Sequence, residues 1–123
     1  MAHNEAMQPV ELSSHSIMLC PKHAQIQAVV AAALTAADPR AAVHRAVQRS
    51  GNHLVVAGQA LDLGAVRRVL LVGAGKGVLA MASGMVDILG ERLSAGVLIA
   101  KHAPTTADPA LPGALSVYTG EHP

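Results

Sequence analysis

The residues best suited to chemistry lie in the stretch VGAGKGV, where three glycines surround Lys76. Glycines let the backbone bend sharply and let a ligand approach the main chain. A helical pattern follows the lysine, and the free amides and positive dipole end at a helix start attract anions. A cation there is mildly unfavourable for the helix and makes sense when an anion binds beside it. The stretch therefore predicts a phosphate or carboxylate site made of Gly73, Ala74, Gly75 and Lys76.

A second cation, Lys101, follows the apolar segment AGVLIA and precedes His102. If that segment is the next parallel strand, its carboxyl end lies at the same sheet edge as the glycine turn. Lys101 is therefore a second candidate for holding the anion. Two plainer interpretations stay open: a tight strand-to-helix turn with Lys76 in solvent, and a solvated strand end at Lys101.

The familiar nucleotide-binding motifs do not fit this turn. A dinucleotide fingerprint takes a small third residue, where Val78 stands, and needs an acid at the end of the second strand, where Lys101 stands. A P-loop needs a glycine where Leu70 stands and a hydroxyl where Gly77 stands. A nicotinamide cofactor with a free ribose and a P-loop nucleotide site are both disfavoured.

Helical periodicity predicts two helices before the turn. The first begins at Lys22 and carries one apolar stripe to Ala37. The second starts at Pro39, is capped by Asp38 and runs to Gly51, with Val47 on its apolar face. The following HLVVAGQALDL predicts a small hairpin around Gly58.

The second half of the chain predicts strands at Val69–Val72, Val97–Ala100 and Leu115–Tyr118, with a helix from Lys76 to about Gly90. The continuous apolar run of the first strand favours a strand that is covered on both faces. The predicted class is α/β, a Rossmann-like, doubly wound and mostly parallel sheet. Three strands with one crossover helix are half of such a fold, so we expect the N-terminal part of a larger two-domain protein.

Composition excludes several classes of function. The net charge is +1 with no basic run, and Phe and Trp are absent, which disfavours nucleic-acid binding. Cys20 is the single cysteine, and the histidines lack metal-ligand spacing. No signal peptide or membrane-length apolar run is visible. We expect a cytoplasmic protein with a poorly ordered segment 1–20 and an α/β domain over 21–123.

Five segments together carry a resemblance to a known family, in the order AADPRAAVHRAV, LVVAGQALDL, RRVLLVGAGKGVLAMA, AGVLIAK and GEHP. From about Ala24 to Pro123 the chain resembles the N-terminal portion of the MOFRL-associated (DUF4147) glycerate 2-kinases. The resemblance implies ATP and Mg²⁺ as cofactors and transfer of the γ-phosphoryl group of ATP to the 2-hydroxyl of D-glycerate. It also implies an active site between a Rossmann-like domain and a C-terminal MOFRL domain, with the family's GAGK lysine at Lys76.

The chain departs from the family pattern in two places. Gly77 stands where the family often has Ala, and the segment that normally follows the His-Pro pair is missing. A chain without it is expected to lack a full active site. The runner-up interpretation is a non-catalytic phosphosugar-binding module of the sugar-isomerase type. That module usually has Ser or Thr directly after the turn, whereas the first hydroxyl here is Ser83. The third interpretation is a purely structural α/β fragment that binds no ligand.

Overall fold

The computed structural model describes residues 13–120, which form two compact units, one ending at Asp38 and one beginning at Pro39. The first unit contains α1 (His15–Met18) and α2 (His23–Ala36). The predicted first helix is thus confirmed, although none of the α2 residues is buried. Helix α1 lies in the segment predicted to be poorly ordered, and the remainder of that segment falls largely outside the described residues. The predicted domain boundary stays a prediction.

The second unit combines two helices, two three-stranded sheets and two single 3₁₀ turns. Its elements in chain order are α3 (Pro39–Ala46), β1 (Val47–Ser50), β2 (His53–Val56), β3 (Gln59–Asp62), a 3₁₀ turn (Leu63–Ala65), β4 (Val69–Ala74), α4 (Val78–Leu89), a 3₁₀ turn (Gly90–Arg92), β5 (Leu93–Ala100) and β6 (Leu115–Thr119).

The second helix is shorter than its periodicity predicts. It ends at Ala46, and Val47–Ser50 form strand β1 rather than the last helical turn. Strand β1 pairs antiparallel with β2, with Val47 opposite Val56, and the Val47 side chain is buried. Residues 47–50 could form backbone hydrogen bonds either as a helical turn or as a strand. Because β2 is available to pair with them, they adopt the strand conformation. The expectation that the helix runs to Gly51 was wrong for this reason.

The predicted hairpin is confirmed as β2 and β3, joined by Ala57 and Gly58. Both turn residues have positive φ, 48° and 82°. Two-residue turns of this kind match the twist of the flanking strands. The hairpin and β1 form one antiparallel sheet, separate from the sheet that carries the glycine turn.

The other sheet has the order β4-β5-β6, and both of its strand pairs are parallel. Helix α4 connects β4 to β5, and Gly90 ends it with a φ of 52° that suits a glycine. The three predicted strands and their parallel pairing are confirmed. The α/β class is likewise confirmed, because a strand, a crossover helix and two further parallel strands are the first part of a Rossmann-like sheet.

One face of this parallel sheet is buried, and the other is open. Leu98, Ala100 and Leu115 belong to the same buried core cluster as Leu79 and Leu89 of α4. On β4 the burial alternates, so Leu70 and Val72 are 62% and 79% exposed. The prediction that β4 is covered on both faces is therefore wrong for the described residues.

Between residues 13 and 120, none of the helices combines the length and the apolar character needed to cross a membrane.

Candidate functional site

The glycine turn begins with a close contact between β4 and α4. A Cβ built on Gly73 would lie 2.7 Å from Val78 Cγ2 and 3.4 Å from Leu98 Cδ2. No real Cβ fits at the first distance, so Gly73 lets the first residue of α4 pack directly on its own strand. The contact sets where α4 starts relative to the carboxyl end of β4.

Gly75 reverses the chain between the strand and the helix. Its φ of 122° is one that L side chains rarely adopt, and a Cβ there would meet open space. Its amide donates to the carbonyl of Ile99 at 3.0 Å, and its carbonyl accepts from the amide of Val78 at 3.3 Å. The turn is thus hydrogen-bonded to the end of β5 on one side and to the first helical residue on the other.

Helix α4 starts without a side-chain cap. Its N-cap residue is Gly77, which has no side chain to accept from the amides of Leu79 or Ala80. The amides of Leu79 and Ala80 and the positive end of the helix dipole therefore remain available to an anion, whereas the amide of Val78 is bonded to Gly75. A Cβ on Gly77 would lie 3.5 Å from Pro39 Cγ, which is ordinary van der Waals contact, so this glycine is not required for space.

Lys76 stands at this helix start as an exposed side chain. It makes no hydrogen bond and no ion pair with any residue from 13 to 120. Its nearest sequence neighbours, Gly75 and Gly77, offer no side chain to hold it. A positive charge is thus kept at the positive end of α4 without a neutralising partner from the described protein, an arrangement that an external anion would stabilise.

Lys101 occupies the equivalent place on the next strand. In the parallel register Ala74 is opposite Ile99, so Lys76 and Lys101 each follow this pair by two residues. Both lysines are exposed at the carboxyl edge of the sheet, and Lys101 likewise has no ion-pair partner among the described residues. The structure brings the predicted site residues to one sheet edge; their role in binding stays a prediction.

The loop after Lys101 is held by a hydrogen-bond cluster. The Asp108 carboxylate accepts from the backbone amide and the hydroxyl of Thr105, each at 2.9 Å. These two bonds, the backbone one first, lower the pKa of Asp108 below its usual value, with a smaller contribution from His102. The His102 ring nitrogen lies 3.9 Å from Asp108 Oδ2 and 3.0 Å from the carbonyl of Ala103.

The third strand also ends at this edge. The amide of Gly120, directly after β6, donates to the carbonyl of Ala100 at 2.9 Å, and a Cβ on Gly120 would lie 3.0 Å from Ile99 Cγ2. Sequence reasoning missed Gly120 and the Thr105–Asp108 pair. The spacing T-x-x-D before a proline was a usable signal for the loop, whereas the contact of Gly120 depends on strand register.

The donor set of the turn fits an anionic group. Two exposed ammonium groups, first-turn amides and glycines that admit close approach suit a phosphate of ATP or a carboxylate. It does not fit Mg²⁺, which takes oxygen ligands, mainly carboxylates and phosphates. Residues 72–78 contain no carboxylate, and Asp108 is engaged with Thr105.

The phosphosugar alternative requires a hydroxyl at the turn. Ser83, the first hydroxyl after Lys76, is 6% exposed and lies in the middle of α4. It is buried away from the helix start, so the described residues do not favour that alternative.

Comparison with known proteins gives two matches. The family model described as "Domain of unknown function (DUF4147)" matches residues 25–123. The curated glycerate kinase of zebrafish (Danio rerio) is 38% identical over 76 residues, which cover 62% of this chain and 15% of the relative. The chain therefore spans well under a fifth of this relative's length. No solved structure matches the chain significantly.

Proposed function

Because this chain belongs to the DUF4147 family, we propose that it is the N-terminal portion of an ATP-dependent glycerate 2-kinase. The reaction is transfer of the γ-phosphoryl group of ATP to the 2-hydroxyl of D-glycerate. The observation that carries the proposal is Lys76, a partnerless cation at the uncapped start of α4. The similarity to the zebrafish glycerate kinase supports the choice of substrate.

Phosphoryl transfer is catalysed mainly by positioning and by stabilising negative charge. Lys76 and the first-turn amides of α4 would hold one anionic group of a substrate, either a phosphate of ATP or the carboxylate of D-glycerate. Lys101 adds a second positive charge at the same edge, two residues beyond Ile99. Neither lysine has a competing carboxylate partner in residues 13–120, so both charges are available to the ligand.

Mg²⁺, when bound to ATP, supplies further neutralisation of phosphate charge. This chain offers no set of oxygen ligands for it at the turn, so its protein ligands would come from elsewhere in the full enzyme. Because these ligands are absent from the turn and the chain spans only 15% of the relative, we propose that the chain is inactive alone. We propose that it acts together with a C-terminal MOFRL domain. We further propose that the full enzyme is soluble and cytoplasmic.

The test uses a chimera in which this chain replaces the matched segment of the zebrafish glycerate kinase. ATP-dependent phosphorylation of D-glycerate is measured for the chimera and for its Lys76→Met variant. We expect the variant to lose about 10²-fold or more in kcat/KM, as when other groups that stabilise transition-state charge are removed. A rise confined to the KM for ATP would assign Lys76 to a phosphate, and one confined to the KM for D-glycerate would assign it to the carboxylate.

The matched control is Lys22→Met, which removes an identical charge from another exposed lysine, the N-cap residue of α2. We expect activity close to that of the parent chimera. Turnover by Lys76→Met at the level of this control would show that Lys76 is a surface residue only. A folded chimera without activity toward D-glycerate would contradict the proposed reaction.

A further inference from the structure

The loop after β5 leaves the sheet in the middle of its carboxyl edge, because β5 is the central strand. The carbonyl of Ile99 accepts from the amide of Gly75 at 3.0 Å, and the carbonyl of Ala100 accepts from the amide of Gly120 at 2.9 Å. These two bonds hold the last residues of β5 between the glycine turn and the end of β6. His102, two residues after Ala100, therefore stands at the edge where ligands of such sheets bind.

The contacts of the His102 ring decide which of its nitrogens can accept a proton. Nδ1 lies 3.0 Å from the carbonyl oxygen of Ala103. A carbonyl oxygen only accepts hydrogen bonds, so Nδ1 carries the hydrogen of the neutral ring and Nε2 keeps its lone pair. Nε2 has no hydrogen-bond partner in residues 13–120, and the His102 side chain is 56% exposed. A hydroxyl group of a bound ligand can therefore reach the basic nitrogen.

Asp108 places a negative charge beside the same ring. Its Oδ2 lies 3.9 Å from His102 Nδ1, which is too far for a hydrogen bond and close enough for electrostatic attraction. The amide and the hydroxyl of Thr105 hold this carboxylate, each at 2.9 Å. The same two bonds lower the pKa of Asp108, so the carboxylate is ionised at neutral pH. When Nε2 takes up a proton, this charge stabilises the imidazolium ring that forms.

We infer that His102 is the general base that accepts the proton of the attacking hydroxyl group, with Asp108 as its positioning residue. The inference rests on the proposed function, in which the 2-hydroxyl oxygen of D-glycerate attacks the γ-phosphorus of ATP. The bond from this oxygen to phosphorus forms, the bond from phosphorus to the bridging oxygen of ADP breaks, and the hydroxyl proton passes to Nε2. The exposed ring then returns the proton to solvent.

The other side chains of this edge are suited to other tasks. A hydroxyl group that is phosphorylated must lose its proton, and protein kinases place a carboxylate where it can accept that proton. Within residues 13–120, Lys76 and Lys101 supply positive charge at the edge, and the Asp108 carboxylate is held by Thr105. His102 is the side chain here that has a free basic nitrogen. The competing interpretation makes His102 a third cation that holds phosphate, and it predicts the opposite pH dependence.

Kinetics of the chimera with the zebrafish enzyme test the role of the ring. His102→Gln keeps a polar side chain but cannot take up the proton. We expect kcat to fall about 10²-fold or more, with little change in either KM. Asp108→Asn keeps an acceptor for Thr105 and removes the charge, so it should lower kcat by less and also leave both KM values unchanged. The matched control is His53→Gln, which changes an exposed histidine of β2 and should retain the kcat of the parent.

The pH profile separates a base from a cation. A base acts only in its neutral form, so the kcat of the parent should fall by about tenfold per pH unit on the acid side, and His102→Gln should lack this dependence. Lys76, Lys101, Asp108 and the phosphates of ATP carry charge at the same edge. They are common to both proteins, so the difference between the two profiles belongs to His102. Imidazole in solution should restore part of the activity of His102→Ala, because the side chain it replaces is exposed.

An active chimera in which His102→Gln keeps the kcat of the parent would overturn the inference and leave the proposed function standing. A kcat that rises as the pH falls, a loss confined to the KM for ATP, or a His102→Ala variant that imidazole does not restore would do the same. A folded parent chimera without activity toward D-glycerate would contradict the proposed function and the inference with it. NMR of the histidine rings in the 123-residue chain checks the tautomer separately. A neutral His102 ring with its hydrogen on Nε2 would overturn the inference whatever the activity.

Discussion

Gly73 and Val78 lie so close together that a Cβ on Gly73 would come within 2.7 Å of Val78 Cγ2. This contact joins the end of β4 to the start of α4 and sets the shape of the turn that presents Lys76. Both residues belong to a stretch whose local sequence already predicts a strand, a turn and a helix. The energetic consequences of the contact can be measured directly.

Gly73→Ala is expected to destabilise the chain by about 1–3 kcal/mol, as overpacking in a filled site does. Denaturant unfolding measures the loss, and Gly113→Ala is the matched control, because a Cβ there meets nothing within 4 Å. The double variant Gly73→Ala with Val78→Ala should lose less free energy of unfolding than the sum of the two single variants, because the second change removes the clashing methyl groups. Equal midpoints for Gly73→Ala and Gly113→Ala would contradict the contact.

Gly75→Ala is expected to cost about 1–3 kcal/mol through backbone strain alone, because a φ of 122° is unfavourable for any L side chain even in open space. Gly77→Ala should cost less, since Gly77 has a φ of −92° and its Cβ would make ordinary contacts. Thermal unfolding of the two variants checks the ranking. A larger loss for Gly77→Ala would show that the turn is built differently.

Arg49→Met should destabilise the second unit by about 1–2 kcal/mol, because hydrogen bonds from a charged donor are lost at a helix end. The Arg49 guanidinium donates to the carbonyls of Ile88 at 3.2 Å and Leu89 at 2.5 Å, at the C-terminus of α4, and to Gly51. Arg68→Met, which removes the same charge from an exposed arginine, should change the free energy of unfolding by less. Similar losses in the two variants would show that Arg49 contributes through its charge alone and not through these hydrogen bonds.

The hydrogen bonds of Asp108 with Thr105 predict that the stability of this loop depends on pH only in the acidic range. Because the hydrogen bonds from Thr105 lower the pKa of Asp108 from its usual 3.8, they stabilise the loop above that value. The contribution is lost as the pH falls through the lower pKa of the folded protein. NMR titration of the Asp108 carboxyl should show a higher pKa in Thr105→Val, which keeps the backbone bond and loses the hydroxyl one. Thr106→Val is the matched control and should leave the titration unchanged.

Local sequence patterns were sufficient to predict the parallel sheet and to propose where the candidate site lies. Apolar runs at Val69–Val72 and Val97–Ala100 flank a helical period, and this local pattern sets two parallel strands joined by a crossover helix. Since both strands end with a lysine shortly after them, their carboxyl edge could be predicted as an anion site. The conformations involved are local, so propensity and spacing were sufficient.

Tertiary structure decided what depends on pairing and packing between distant segments. Val47–Ser50 continue a helical pattern, yet they become β1 because β2 is available to pair with them. The apolar run of β4 predicts burial on both faces, yet Val72 is 79% exposed, because the described helices pack on the other face of the sheet. The contacts of Gly120 with β5 and of Gly73 with Val78 depend on register and on the distance between elements. Strand register and the distance between elements depend on contacts among all of these segments, so no single stretch of sequence predicts them.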